Sequence, residues 1–243
     1  EKEMARALIA TALPEAGTPP LFVRTHPADH ADLSIDLEAI VRPGLTGILL
    51  PKVNAAEEIL HLSAALATRE RQADLPPGQI RILALIETAR GLVHGPAIAA
   101  ADPRMAGLLF GAEDFALDIN ADAADDFLYA RSALVVAAAS AGIQAIDRAY
   151  LDLQDTPGLL ASARQSRRLG FTGRLLIHPS QIAPVHEAFC PSSDEVDDAR
   201  RVVAAFNQDC GSIVLDGRMV DLPVVERANQ TLSLYNRRNT KQQ

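Results

Sequence analysis

The stretch from Arg81 to Asp114, RILALIETARGLVHGPAIAAADPRMAGLLFGAED, constrains the fold more than any other part of the chain. Two short apolar runs, Ile82 to Ile86 and Leu108 to Phe110, each lead into a carboxylate, Glu87 and Asp114, with a helix-like segment between them. Runs of this kind read as neighbouring parallel strands of an α/β protein. Both acids then fall at strand C-termini, the edge that carries the chemistry in open α/β sheets and in α/β barrels alike. Two carboxylates converging there suit a hard divalent cation such as Mg²⁺. The same residues also fit a plainer assignment, with Glu87 capping the following helix and Asp114 opening a loop, because helix N-termini favour acids in any case.

The chain has 243 residues, 48% hydrophobic and 22% charged, enough for one large core. An α/β barrel of about 250 residues is typically a single domain of this size. The net charge of −8 argues against nucleic acid as a main partner, since that binding rests on basic patches. Anionic substrates must therefore meet local cations. No apolar run approaches the ~20 residues that span a bilayer, and no signal-peptide pattern precedes the first element, so no membrane partner and a cytoplasmic location are expected. Cys190 and Cys210 lie outside any CxxC or zinc spacing, and a packing role is expected for both. The lysines are Lys2, Lys52 and Lys241, which leaves Lys52 alone in the body of the chain, at a strand end.

Taken in order, residues 1–13 have helical spacing, so the chain opens inside a helix. LFVRT (21–25) reads as the first strand, and DLEAIVRPG as a short helix stopped by Pro43 and Gly44. GILLPKV (47–53) is the second strand, followed by the helix AAEEILHLSAALATRERQ. RILALIET and GLLFGAED are the third and fourth strands, separated by a helix broken near Gly95, Pro96 and Pro103. An acidic, flexible stretch is expected from Asp114 to Asp126, then a nearly apolar and deeply packed helix, FLYARSALVVAAASAG. AIDRAYLDL and GRLLIHP complete six strands, with a helix between them. From SQIAPVHEAF onward the pattern changes: a helix, then PSSDEVDDARRVVAAFNQD with Ser193 and Glu195 near a helix start, a hairpin around Asp216 and Gly217, and a terminal helix. Residues 1–205 are expected as the β/α domain and 206–243 as an extension. Six β/α units are visible where a closed barrel needs eight. Either the sheet is open or two units are missing, and the opening inside a helix favours the second.

The series VRT, ILLPKV, ALIETARG, FGAED, AIDRAYLD, LGFTGRLLIHPSQI and DGRMVDLPVV, in this order, resembles the citrate lyase β-subunit-like family of the HpcH/HpaI aldolase superfamily, which includes malyl-CoA and citramalyl-CoA lyases. The resemblance runs from about residue 15 to the end of the chain. It implies a TIM-type (β/α)₈ barrel of the phosphoenolpyruvate/pyruvate class, with these six strands as the third to eighth and the first two units missing from this chain. Neither the first active-site arginine nor the acidic LED-type motif of the family's opening strands occurs here.

By the same resemblance Glu87 and Asp114 are Mg²⁺ ligands, and the metal acts as Lewis acid and template. Arg24 contacts substrate and stabilises a developing enolate, a role suited to a guanidinium fork. Gly111, Ala112 and Glu113 offer backbone amides to the substrate carboxylate, and Lys52 binds substrate or tunes the acidic site. Asp221 reaches a neighbouring subunit as general acid/base, so a homotrimer or hexamer is expected. His178 is expected to be positional, and His26, His30, His61, His94 and His186 show no spacing for metal ligation. The implied reaction is Mg²⁺-dependent cleavage of a malyl-, citramalyl- or citryl-thioester, carried on CoA or an acyl carrier protein, to a 2-oxo acid and an acetyl-thioester. A thioesterase, a malate synthase-like condensing enzyme and a non-catalytic acyl-carrier binder remain as alternatives.

Overall fold

The computed structural model describes residues 2–13, 19–206 and 211–240, with side chains to Arg237 in the last helix. Cys210 and Lys241 lie outside them. Two compact units divide between Gln181 and Ile182.

The first unit runs α1 (Lys2–Ala12), β1 (Phe22–Arg24), α2 (Leu33–Ile40), β2 (Gly47–Leu50), α3 (Ala56–Gln72) and β3 (Arg81–Ile86). It continues α4 (Ala89–Val93), α5 (Gly95–Ala99), β4 (Met105–Phe110), α6 (Ala112–Asp118), α7 (Leu128–Ser140), β5 (Gln144–Asp147), α8 (Thr156–Leu169) and β6 (Gly173–Arg174). All strand pairs are parallel, in the order β1-β2-β3-β4-β5-β6. Each strand lies beside its predecessor, so every crossover steps the same way and right-handed connections place the helices on one face. A sheet wound in one direction covers its other face by curling, as barrels do. The result is a curled, open half-barrel. In the middle, Ile82, Ala84, Leu85 and Ile86 of β3 and Leu108, Leu109 and Phe110 of β4 are buried. Each large side chain among them contributes about 1.5–3 kcal/mol.

Two buried ion pairs fasten helices to the sheet. Glu70 of α3 takes both ends of the Arg104 guanidinium at 2.7 and 2.8 Å, and also accepts the amides of Gly78 and Ile80. Arg131 of α7 donates to Asp147 at the end of β5 at 2.6 and 3.2 Å.

Several elements differ from the sequence reading. The acidic stretch after Asp114 is helical only at its start, where α6 continues to Asp118; turns and irregular backbone follow to Phe127. The apolar α7 is packed on one side only: Ala130, Leu134, Ala137 and Ala138 are buried at helical spacing, while Tyr129 is 83% and Val136 67% exposed. β5 stops at Asp147, whose side chain turns back to accept the Arg148 amide at 2.8 Å. β6 is two residues long; of LLIHP, Leu175 still donates its amide to Asp147 O at 2.8 Å, and the rest lies beyond the strand. The segment between β3 and β4 forms two five-residue helices, with Pro96 in the first turn of α5.

The second unit contains α9 (Ile182–Phe189), α10 (Ser193–Ala205), β7 (Ser212–Leu215), β8 (Arg218–Asp221) and α11 (Leu222–Thr240). Ser192 and Glu195 form a capping box at the start of α10. Asp216 and Gly217 both have positive φ, 50° and 76°, as a two-residue hairpin turn of the primed type requires. Ala199 and Val202 of α10 cluster with Val220, Val225 and Ala228. That packing ties α10 to the hairpin. No described helix is long and apolar enough to cross a membrane.

Candidate active site

Because all six strands of the first unit are parallel, their C-terminal ends share one edge, and Arg24, Glu87, Asp147 and Arg174 sit at or just after the ends of β1, β3, β5 and β6. Lys52 follows β2 and Gly111 follows β4.

Glu87 is 5% exposed. Its Oε1 accepts the Lys52 backbone amide at 2.9 Å, its one hydrogen bond among the described residues. Burial raises its pKa, and the charge of Asp114 raises it further; the Lys52 amide, the Lys52 charge and the Arg24 charge act against that. Asp114 lies in the first turn of α6 rather than at a strand end, half-exposed, and its Oδ1 meets Lys52 Nζ at 3.2 Å. Hydrogen bonding to Asp114 raises the Lys52 pKa in turn. Lys52 has a φ of 55°. That left-handed conformation costs a non-glycine residue about 1–2 kcal/mol. It lets one residue bring its amide to Glu87 and its ammonium to Asp114.

Neighbouring loops fix this arrangement. Val53 N donates to Leu85 O at 3.3 Å, and Thr88 Oγ1 donates to Asn54 Oδ1 at 2.5 Å. Thr88 also caps α4 through the Gly91 amide. A Cβ on Gly91 would stand 2.3 Å from Val53 O, so glycine permits the approach of these loops. Gly111 meets Glu87 in the same way: its Cβ would lie 2.6 Å from Glu87 Cβ and 2.7 Å from Oε2. The Gly111 amide donates to Ile86 O at 3.0 Å. It is therefore committed to the sheet, and the amides of the α6 first turn are those of Ala112 and Glu113 onward.

Arg24 is exposed at the end of β1. Asp147 is fully buried and saturated by Arg131, Ser166 Oγ and the Arg148 amide, which makes it a packing residue rather than a third free carboxylate. His178 accepts the Ser180 amide through Nδ1 at 3.2 Å, beside the short turn Pro179–Gln181. Asp221 belongs to the second unit, where its Oδ1 accepts the Val224 amide at 3.3 Å near the start of α11. The sequence reading missed the Lys52 amide as the partner of Glu87. It also missed a group formed by His26, His30, Asp32 and Asp36, since their convergence depends on how α2 packs beside β1.

The pair of carboxylates suits a divalent cation on the structure's own terms. Glu87 has unused acceptor capacity, burial and Asp114 oppose its ionisation, and a lysine ammonium already stands at Asp114 as a cationic partner. Such a donor set, all oxygen and doubly anionic, fits Mg²⁺.

Comparison with known proteins places the chain in a family. The sequence profile of the family described as HpcH/HpaI aldolase/citrate lyase matches residues 1–179. Citrate lyase subunit beta of Escherichia coli (strain K12) is 37% identical over 96% of this chain and 80% of its own length. The mitochondrial citramalyl-CoA lyase of Rattus norvegicus is 34% identical over 96% of this chain and 75% of its own. The crystal structure of protein CitE from Mycobacterium tuberculosis, in complex with magnesium, acetoacetate and coenzyme A, superposes with a TM-score of 0.78 at 33% identity, covering 93% of this chain and 83% of that one. The chain belongs to the HpcH/HpaI aldolase/citrate lyase family and, within it, to the citrate lyase β-subunit-like lyases.

Proposed function

We propose that this lyase cleaves a 3-hydroxy acyl-CoA thioester of the malyl or citramalyl type into a 2-oxo acid and acetyl-CoA, with Mg²⁺ as cofactor. The observation that carries the reading is the Glu87–Asp114 pair bridged by Lys52 at the C-terminal sheet edge, in a chain related to lyases of such thioesters. Glu87 and Asp114 would hold the metal. When bound, it supplies Lewis acidity and a template for the oxygens of the small acid.

The protein's own groups divide the remaining work. Lys52 and the amides of Ala112 and Glu113 offer positive charge and donors to the substrate carboxylate. Gly111 keeps space for the Glu87 side chain. Arg24 presents a guanidinium to the thioester oxygen as negative charge develops there on C–C cleavage. Asp221, from a neighbouring copy in a homotrimer or hexamer, gives a proton to the enolate carbon. The proton lost by the substrate hydroxyl and the one gained at carbon balance. In this reading the six strands are the third to eighth of a (β/α)₈ barrel.

Product identification tests the proposal. Malyl-CoA or citramalyl-CoA should give acetyl-CoA and the 2-oxo acid only with Mg²⁺, and Glu87→Ala should abolish that. Release of free CoA with an intact hydroxy acid would make the protein a thioesterase instead.

A further inference from the structure

The loop between β1 and α2 gathers three metal-competent side chains that the proposed reaction does not use. His26, His30 and Asp32 each bring one ligand atom to within 4.8 Å of the other two, the one such group among the described residues. His26 Nδ1 lies 2.5 Å from Asp36 Oδ2, and the His26 backbone amide donates to the same oxygen at 3.0 Å. Asp36 is held from its other side by Arg6 Nε at 2.8 Å. A carboxylate taking the proton of one ring nitrogen is the usual support of a metal-ligating histidine, since it fixes the tautomer and aims the other nitrogen. Here the aimed nitrogen is Nε2, and it faces Asp32 Oδ2 at 3.9 Å. In the neutral imidazole that is a lone pair against a carboxylate oxygen, beyond hydrogen-bond distance. Metal–nitrogen and metal–oxygen bonds of about 2.0–2.2 Å span such a gap. The His30 ring stacks on His26 with centroids 4.2 Å apart, which supplies a second imidazole at the same place.

We propose that His26, His30 and Asp32 form a transition-metal site, built from residues other than the Glu87–Asp114 pair, that takes a borderline divalent ion such as Zn²⁺, Co²⁺ or Ni²⁺. Two imidazole nitrogens and one carboxylate select such ions over Mg²⁺, which prefers oxygen throughout. Binding exchanges existing contacts. His30 Nδ1 accepts the Asp32 amide at 3.0 Å, and the exposed ring turns to ligate. Asp32 Oδ2 stands 3.6 Å from Lys2 Nζ and 3.5 Å from Arg6 Nη2, and the ion replaces these cations at the carboxylate while Arg6 stays with Asp36.

The test is equilibrium dialysis and visible absorption with Co²⁺ on the untagged full chain under saturating Mg²⁺, which occupies the carboxylate pair. One Co²⁺ per chain is expected at micromolar free ion. His30→Ala and Asp32→Asn should lose it while unfolding at the wild-type temperature, and His61→Ala and His94→Ala should retain it. Asp36→Asn keeps all three ligands and should weaken binding about 10–100-fold. Co²⁺ retained equally by His30→Ala and Asp32→Asn, or no Co²⁺ retained by the wild type, overturns the proposal and leaves His26 as a hydrogen-bonding partner of Asp36 only. Lyase activity is no part of the readout, so this result stands apart from the fate of the proposed reaction.

Discussion

Gly111→Ala is the sharpest probe of the carboxylate site, because the added methyl meets Glu87, a proposed metal ligand, directly. Its Cβ would lie 2.6 Å from Glu87 Cβ, against 3.4 Å at the near edge of ordinary contact, so about 0.8 Å must be found. A rotation of the Glu87 side chain does not provide it, since Glu87 Cβ is fixed by the backbone of β3 and Oε2 is only 2.7 Å away. The strand ends themselves must part, against the Gly111 N to Ile86 O bond of 3.0 Å that joins them. Overpacking of this kind costs about 1–3 kcal/mol of stability. A displacement near 1 Å at a catalytic group costs about 10²-fold in rate, or ~2.7 kcal/mol of transition-state stabilisation. The assays are thermal unfolding without metal, Mg²⁺ affinity by calorimetry, and kcat/KM for thioester cleavage. Gly173→Ala is the control, since no atom lies within 4 Å of its added Cβ and its φ is ordinary. If Gly111→Ala binds Mg²⁺ and turns over substrate within twofold of the wild type, Glu87 does not act from the position described.

Three further outcomes follow from the same geometry. Burial and Asp114 raise the Glu87 pKa above the ordinary 4.5, so the folded protein favours its protonated form. Stability without metal should then fall as pH rises from the ordinary carboxylate value through the raised one. In EDTA, Glu87→Gln should melt above the wild type at neutral pH, with the difference closing in acid; the melting order should reverse with Mg²⁺. Burial opposes ionisation of Glu70 too, yet the Arg104 fork and the Ile80 and Gly78 amides outweigh it and the pKa is lowered below 4.5. Its contribution is present above the ordinary value and is lost as pH falls through the lowered one. Glu70→Gln, which leaves Arg104 half-paired in the interior, should cost about 3–5 kcal/mol in urea unfolding at neutral pH and less in strong acid. If Asp221 acts on a neighbouring copy, mixed oligomers of inactive Glu87→Ala and Asp221→Ala chains should regain activity, whereas recovery no greater than the sum of the separate variants places it in its own chain's site.

Local pattern carried the centre of the sheet further than its edges. Ile82 to Ile86 and Leu108 to Phe110 are apolar because helices and neighbouring strands bury them, and their ends were legible for that reason. β5 and β6 were overread, since LLIHP is as apolar as a strand while the ladder itself holds Gly173 and Arg174 and fades after the Leu175 amide. α7 is equally apolar in composition, yet it buries one stripe, Ala130, Leu134, Ala137 and Ala138 with the paired Arg131, which composition cannot reveal. The Asp-Gly turn was legible because both positions need positive φ. Glu87 and Asp114 were legible as acids near strand ends, whereas the cation between them was only hinted at by the isolation of Lys52. His26 and Asp36 stand ten positions apart on a loop and a helix, and no sequence period brings a loop imidazole to a helix carboxylate.

The carboxylates stand on separate β/α units, yet their relative position depends on the loop that follows neither of their strands. Lys52 reaches Glu87 through its backbone and Asp114 through its side chain. Asn54 ties the same loop to Thr88, one residue after Glu87, and its carbonyl meets His94 Nδ1 at 2.7 Å. Asp118 at the far end of α6 accepts the Ala89 amide at 2.7 Å, so the helix that carries Asp114 is also tied to the segment after Glu87. Left-handed backbone at Lys52 and the need for glycine at positions 91 and 111, where a Cβ would clash, are restrictions that local structure alone does not impose, and all three occur where these loops meet. Such restrictions persist when surrounding structure over-determines them and the site requires the geometry. The β2–α3 loop is therefore part of the carboxylate cluster, although Lys52 is the one residue it brings to Glu87 and Asp114.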